Sequence, residues 1–206
     1  MEKRLIPIKT APSLKISEIF CSLQGESTRL GLRTVFVRLT GCPLRCVWCD
    51  TAHAFSGGKR LLLPEILEKV AAFKADFVCV TGGEPLAQKN CLPLLKALCD
   101  NNYSVSLETS GALDISEVDS RVAKIVDLKA PDSGEFAKNH WQNLDCLTAK
   151  DELKLVLASR KDYEWARDFV AENAQKWHLP RTSILFSPVA ETLNPTDLAD
   201  WMVEDQ

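Results

Sequence analysis

Six short apolar or β-branched runs recur along the chain, and their spacing limits the fold more than any other feature. They lie at residues 34–39 (TVFVRL), 77–81 (FVCVT), 104–108 (SVSLE), 124–128 (KIVDL), 152–157 (ELKLVL) and 183–186 (SILF). Stretches with helical periodicity separate several of them, at residues 64–74, 92–101 and 160–177. The last of these places Tyr163, Ala166, Phe169, Val170, Ala174 and Trp177 on one face. A short helix is expected over 116–121. A final one carries Leu198, Trp201 and Met202, with Asn194 or Thr196 as its cap. Strands that alternate with helices argue parallel β/α units joined by right-handed crossovers. Six strands are too few to close an eight-stranded barrel. The expected class is therefore α/β, a partial (β/α)6 barrel of parallel strands.

The remainder fits around that frame. Residues 15–23 alternate polar and apolar positions as a half-buried strand does, and 24–28 (QGEST) break the pattern into a loop. Residues 53–59 read as irregular, with Gly57-Gly58 as a turn signal. Residues 132–149 read as loop with a helical turn near His140. A chain of 206 residues fits one domain, 1–206, with 1–14 as a flexible N-terminal segment. It is long enough to bury roughly 70% of its unfolded surface.

Lys and Arg number 25 against 28 Asp and Glu, a net charge of −3. That balance gives no general reason to expect nucleic acid or an anionic membrane as partner. No run approaches the ~18–20 apolar residues needed to span a bilayer. The first twelve residues hold Lys3, Arg4 and Lys9 but no apolar signal-peptide core, so a cytoplasmic location is expected.

The run from Gly41 through Cys42, Cys46 and Cys49 to Thr51 stands apart. Three of the chain's eight cysteines fall in a loop directly after a predicted strand, spaced C-x-x-x-C-x-x-C. Thiolates suit iron–sulfur clusters, zinc or copper(I). A structural zinc site needs a fourth ligand, usually from a second C-x-x-C, and the chain has none. A redox pair of Cys46 and Cys49 leaves Cys42 without a role. A four-iron cluster with one iron left open accounts for all three. Cys21, Cys79, Cys91 and Cys99 read as small core residues, and Cys146 is uninformative.

In parallel β/α folds, sites form where strand C-termini empty into loops. Polar residues gather at those positions: Arg38, the cysteine loop, Thr81 to Glu84, Glu108 to Ser110, Asp127, Lys129 and Ser187. In Thr81-Gly82-Gly83-Glu84-Pro85 the glycines allow close approach to the backbone, and Glu84 can accept from an ammonium group.

C-x-x-x-C-x-x-C followed by a strand-end GGEP resembles the radical S-adenosylmethionine superfamily. Ser22 to Glu26, Phe36 to Leu39, Gly41 to Thr51, Thr81 to Pro85 and Glu108 to Gly111 together resemble its 7-carboxy-7-deazaguanine synthase family, over about residues 19–187. The resemblance implies a [4Fe-4S] cluster whose open iron holds S-adenosylmethionine, which one-electron reduction cleaves to a radical. It also implies Mg²⁺, a homodimer and an electron donor such as flavodoxin or ferredoxin. The implied substrate is 6-carboxy-5,6,7,8-tetrahydropterin, converted to 7-carboxy-7-deazaguanine with loss of ammonia.

Matching positions then carry implied roles. Cys42, Cys46 and Cys49 hold the cluster. Trp48, Cys49, Asp50, Gly83, Glu84, Asp127, Leu128, Lys129 and Ser187 border S-adenosylmethionine, and Thr51 offers oxygen to Mg²⁺. Leu23, Gln24, Gly25, Arg38 and Thr81 contact the pterin, with the Arg38 guanidinium suited to its carboxylate.

The chain departs from the family in places. Ser27 stands where a second glycine is common, and Asp127-Leu128-Lys129 where many relatives have Ser-Pro-Lys. Relatives also continue beyond the position of Gln206 into a strand that borders the pocket. A glycyl-radical-enzyme activase shares the cysteine spacing, and a non-catalytic iron–sulfur or zinc module shares the thiols. These are the competing readings.

Overall fold

The computed structural model describes residues 11–173, 176 and 183–205. One sheet dominates. Its strands are β1 (Ser13–Leu23), β2 (Arg33–Leu39), β3 (Lys59–Leu62), β4 (Phe77–Gly82), β5 (Ser104–Thr109), β6 (Ala123–Lys129), β7 (Glu152–Leu157) and β8 (Ile184–Pro188). They lie in the order β3-β1-β2-β4-β5-β6-β7-β8. From β2 to β8 every neighbour is parallel, while β1 runs antiparallel to both β2 and β3. All six predicted parallel strands are present. The sheet stays open, as too few strands for closure requires.

The strands alternate, and that alternation positions the site. Val35, Val37, Leu39, Val78, Val80, Val105 and Leu107 are buried in the larger core, and Leu153, Leu155 and Leu157 in a second. The intervening residues Arg38, Thr81, Glu108, Asp127, Lys129 and Lys154 line a cavity on the other face. Parallel strands covered on both faces read as unbroken apolar runs. Here one face packs against helices and the other is polar.

The helices α1 (Leu63–Ala72), α2 (Cys91–Asp100) and α3 (Arg160–Asn173) supply crossovers, and α4 (Pro195–Asp205) follows β8. α1 and α2 bury Ile66, Val70, Leu94, Leu95 and Leu98 against the apolar face, while α3 buries Tyr163 and Ala166 in the second core. Asn194 is the cap of α4: its Oδ1 accepts from the Thr196 N–H at 2.9 Å. Ala174 and Trp177, expected on the continuation of α3, lie outside the described residues. No helix among the described residues is long and apolar enough to cross a membrane.

Three expectations are corrected. Residues 116–121 form turns rather than a helix. Asp114 accepts from the backbone N–H and hydroxyl of Ser116, and Asp119 from the N–H of Arg121, so carboxylates take the donors a helix would use. The crossover from β6 to β7 is, as expected, loop with short 3₁₀ turns, Pro131–Ser133, Phe136–Lys138 and Trp141–Cys146, the last beginning just after His140. Residues 53–59 hold a 3₁₀ turn, Ala52–Phe55, and lead directly into the edge strand β3. Residues 11–14, expected within a flexible segment, belong to the fold. Leu14 is fully buried, β1 begins at Ser13, and the Pro12 carbonyl accepts from Leu63 N–H at 2.8 Å.

Candidate active site

The polar face encloses a cavity of about 1060 Å³, with the cysteine loop at its rim. That loop leaves β2 through Gly41, whose φ of +102° is a conformation a side chain would strain. Gly41 N–H donates to Ala54 O at 2.7 Å, and Gly41 O accepts from Glu84 N–H at 2.8 Å. Further along, Arg45 N–H donates to Glu135 Oε1 at 2.5 Å and Val47 N–H to Ser133 O at 3.1 Å. The Arg45 guanidinium folds back onto the carbonyls of Cys42 and Leu44 and lies 4.3 Å over the Phe55 ring. The loop is thus tied to β4's exit on one side and to the β6–β7 crossover on the other.

Cys42, Cys46 and Cys49 are free, half-buried thiols, and all three face the cavity. Among the described residues no three His, Cys, Asp or Glu side chains converge to hold one metal ion. Three thiols that line one cavity can each give a thiolate to a separate iron of a polynuclear cluster. Burial raises the Cys42 and Cys46 thiols, against which Leu44 N–H lowers Cys42 and the Lys129 ammonium lowers Cys46. Thiols held protonated in this way release protons when they bind metal. The donor set fits a [4Fe-4S] cluster with one iron unligated by protein.

Gly82 and Gly83 explain the glycine pair. A Cβ on Gly83 would stand 2.4 Å from Gly41 O and 2.7 Å from Cys42 Cβ. One on Gly82 would stand 2.3 Å from Leu39 O. The β4 exit packs directly against the cysteine loop, so Gly83 shapes the cavity wall beside Cys42.

Glu84 corrects an expectation. It is fully buried and does not line the cavity. Its carboxylate accepts from Leu86 N–H at 2.9 Å, Ser110 N–H at 2.7 Å, and the hydroxyls of Thr109 and Ser110. Those donors occupy the oxygens assigned to an ammonium group, and Glu84 joins the exits of β4 and β5 instead. Leu128 is also corrected: it is buried in the second core, on the apolar face of β6. Leu23 is 64% exposed and lies outside the cavity lining. Gly25 borders a smaller adjoining hollow of about 350 Å³.

The remaining expected residues do meet in the cavity: Gln24, Arg38, Trp48, Asp50, Thr51, Thr81, Gly83, Asp127, Lys129 and Ser187. Arg38 Nε binds Glu18 at 2.7 Å, which fixes the guanidinium and leaves its terminal nitrogens without a partner among the described residues. The Thr51 hydroxyl donates to Asp50 Oδ1 at 2.7 Å, so its lone pairs remain open to a hard cation. Asp127 Oδ2 pairs with Lys129 Nζ at 2.9 Å, while the buried Oδ1 has no hydrogen-bond partner. An orphaned carboxylate oxygen on a cavity wall is an open acceptor for a ligand donor. Burial pulls Lys129 down, but Asp127 and the nearby thiols outweigh it and the net shift is upward.

Glu108, named at the rim without a role, and Glu26 and Lys154, which were unassigned, also line the cavity. Glu108 accepts from Thr81 Oγ1 at 2.8 Å and Gln24 Nε2 at 3.2 Å, linking strands to the loop after β1. Lys154 on β7 forms an ion pair with Glu26 from that same loop. Lys154 interrupts ELKLVL in the polar phase, and the fold sets it in register with Asp127. Cys79, Cys91 and Cys99 are buried as expected, and burial pushes the Cys79 thiol well up. Cys21 is half-buried against the larger core.

A half-barrel whose first parallel strand opens into three cluster-spaced thiols, above a polar cavity, defines a radical S-adenosylmethionine enzyme. Residues 36–173 match the Radical SAM superfamily. The 7-carboxy-7-deazaguanine synthase of Chlorobaculum tepidum is 44% identical over 202 residues, spanning 97% of this chain and 90% of that protein. That of Koribacter versatilis is 40% identical over 207 residues, spanning 94% and 91%. In fold, the chain is similar to QueE from Escherichia coli, with a TM-score of 0.75, 24% identity and coverage of 94% and 89%. The chain belongs to the 7-carboxy-7-deazaguanine synthase family.

Proposed function

We propose that this protein converts 6-carboxy-5,6,7,8-tetrahydropterin to 7-carboxy-7-deazaguanine with loss of ammonia. The observation that carries the reading is the cavity's arrangement. Arg38, anchored by Glu18, presents a free guanidinium edge on the face that the cysteine loop overhangs. A guanidinium fork accepts a carboxylate by two parallel hydrogen bonds.

A cluster on Cys42, Cys46 and Cys49 would supply one-electron reductive cleavage of S-adenosylmethionine. The protein's own groups orient both molecules. Gly83 borders S-adenosylmethionine where the β4 exit packs on the cysteine loop, Lys129 and Asp127 offer a cation and an open acceptor, and Trp48, Asp50 and Ser187 line the same space. Gln24 and Thr81 contact the pterin while fixing the Glu108 carboxylate between them. Thr51, with Asp50 beside it, offers hard oxygen donors to a Mg²⁺ whose other ligands are substrate and water.

The protein works as one domain, as a homodimer in the cytoplasm, and takes electrons from flavodoxin or ferredoxin. The test is anaerobic reconstitution and reduction, then incubation with the pterin, S-adenosylmethionine and Mg²⁺, read by mass spectrometry. The expected product is 7-carboxy-7-deazaguanine. A cluster-loaded sample that cleaves S-adenosylmethionine yet yields none sinks the reading and favours an activase. A loaded sample that cleaves nothing favours a non-catalytic module.

A further inference from the structure

Three lysine or arginine side chains line the cavity, and they are differently committed. Lys129 is paired with Asp127 and stands near Cys42 and Cys46, at the cofactor end. Arg38 lies on β2 and Lys154 on β7, so β4, β5 and β6 separate them along the curved sheet. Lys154 is only 17% exposed, and its one ion pair is with Glu26, from a loop 128 residues earlier in sequence. An ammonium has three N–H donors. One is spent on Glu26 Oε2, leaving the others and Glu26 Oε1 without a partner among the described residues. Burial pulls Lys154 down, but Asp127 and Glu26 outweigh it, and the group is held charged.

A carboxylate beside an ammonium presents adjacent acceptors and donors with almost no net charge. Such a unit is poorly suited to the substrate's carboxylate, which Arg38 fits better. It does match the opposite end of a 6-carboxypterin, where the pyrimidinone ring carries an amino group, a ring N–H and a carbonyl oxygen. We propose that the Glu26–Lys154 pair is the specificity-determining reader of that edge. Glu26 accepts from the 2-amino group and N3–H, and Lys154 donates to the 4-oxo oxygen. The inference rests on the function proposed above and adds to it how the substrate lies, with its carboxylate toward β2 and its pyrimidinone toward β7.

The test uses stable, fluorescent analogues with the cluster-loaded protein and S-adenosylmethionine. These are 6-carboxypterin, 6-carboxylumazine, which has oxygen in place of the 2-amino group, and the 2,4-diamino analogue, which has nitrogen in place of the 4-oxo oxygen. The wild type should bind 6-carboxypterin at least about tenfold more tightly than either other analogue, as a charged hydrogen bond predicts. Glu26→Gln should remove most of the preference over lumazine, while Lys154→Met should leave that preference and reduce the one over the diamino analogue, whose N3 also lacks the proton that Glu26 reads. Arg38→Met should weaken all three alike.

Variants that keep the wild-type ratios overturn this inference while leaving the proposed function standing. A wild type that binds S-adenosylmethionine but none of the analogues overturns the function itself. Glu26 is 53% exposed on a loop, so Glu26→Gln reports even where Lys154→Met folds poorly.

Discussion

Replacing Glu84 by Gln separates a scaffold role from a ligand role. The carboxylate is fully buried, and its two oxygens accept from four groups: Leu86 N–H, Ser110 N–H, Thr109 Oγ1 and Ser110 Oγ. Glutamine brings one oxygen and one NH₂. Setting the oxygen toward Ser110, where two donors converge, turns the NH₂ toward the Leu86 N–H, donor against donor. The Thr109 hydroxyl can rotate to accept, but the backbone amide cannot. Losing charge assistance and stranding one buried donor costs about 2–4 kcal/mol. At roughly 2–4 °C per kcal/mol for a chain of this size, the melting temperature should fall by about 4–16 °C. Differential scanning calorimetry measures the loss, and titration of the loaded protein with S-adenosylmethionine measures affinity. A melting temperature within about 2 °C of wild type, together with a tenfold or greater loss of S-adenosylmethionine affinity, refutes the reasoning. It would return Glu84 to the role of amine acceptor.

Gly83→Ala should displace the cysteine loop, because its Cβ meets Gly41 O at 2.4 Å and Cys42 Cβ at 2.7 Å. Overpacking of this kind costs about 1–3 kcal/mol. Iron content per chain should fall by about half or more, whereas Gly25→Ala, with nothing within 4 Å of its Cβ, should leave it unchanged. Cys46→Ala should abolish cluster loading, read by iron and sulfide analysis. Cys79→Ala should load normally and lose about 1 kcal/mol of stability by denaturant titration, as deletion of a small buried side chain does.

What the sequence showed and what it hid divide along physical lines. The parallel strands were legible because β-branched runs such as TVFVRL and FVCVT are intrinsically extended and repeat at crossover spacing. Their polar phase was legible too, and Arg38, Thr81 and Asp127 follow from it. The three thiols and the glycine pair announced themselves by local spacing.

That the β5–β6 crossover lacks a helix was not legible, because distant side chains hold both helix-free crossovers. Asn143 Nδ2 donates to the carbonyls of Gly111 and Leu113, and Asn139 bonds both the N–H and the carbonyl of Lys129. β3 was missed for a similar reason. KRLL is too short to show a period, and it is a strand only because the first half of β1 pairs with it.

Glu84 misled because its partners lie 25 and 26 residues away at the end of β5. A strand-end carboxylate looks the same in sequence whether it faces a ligand or a neighbouring strand. Lys154 and Glu26 stayed unassigned for the opposite reason: each is ordinary alone, and only the fold brings them together.

The central claim is that three thiolates on the β2 exit hold a four-iron cluster with one iron left for S-adenosylmethionine. Mössbauer spectroscopy of ⁵⁷Fe-reconstituted protein, with and without S-adenosylmethionine, addresses it most directly. The account predicts four irons per chain, one of which changes its isomer shift and quadrupole splitting when S-adenosylmethionine binds. Four irons that stay unchanged on saturation with S-adenosylmethionine, or a site that takes up zinc in place of iron, would contradict it.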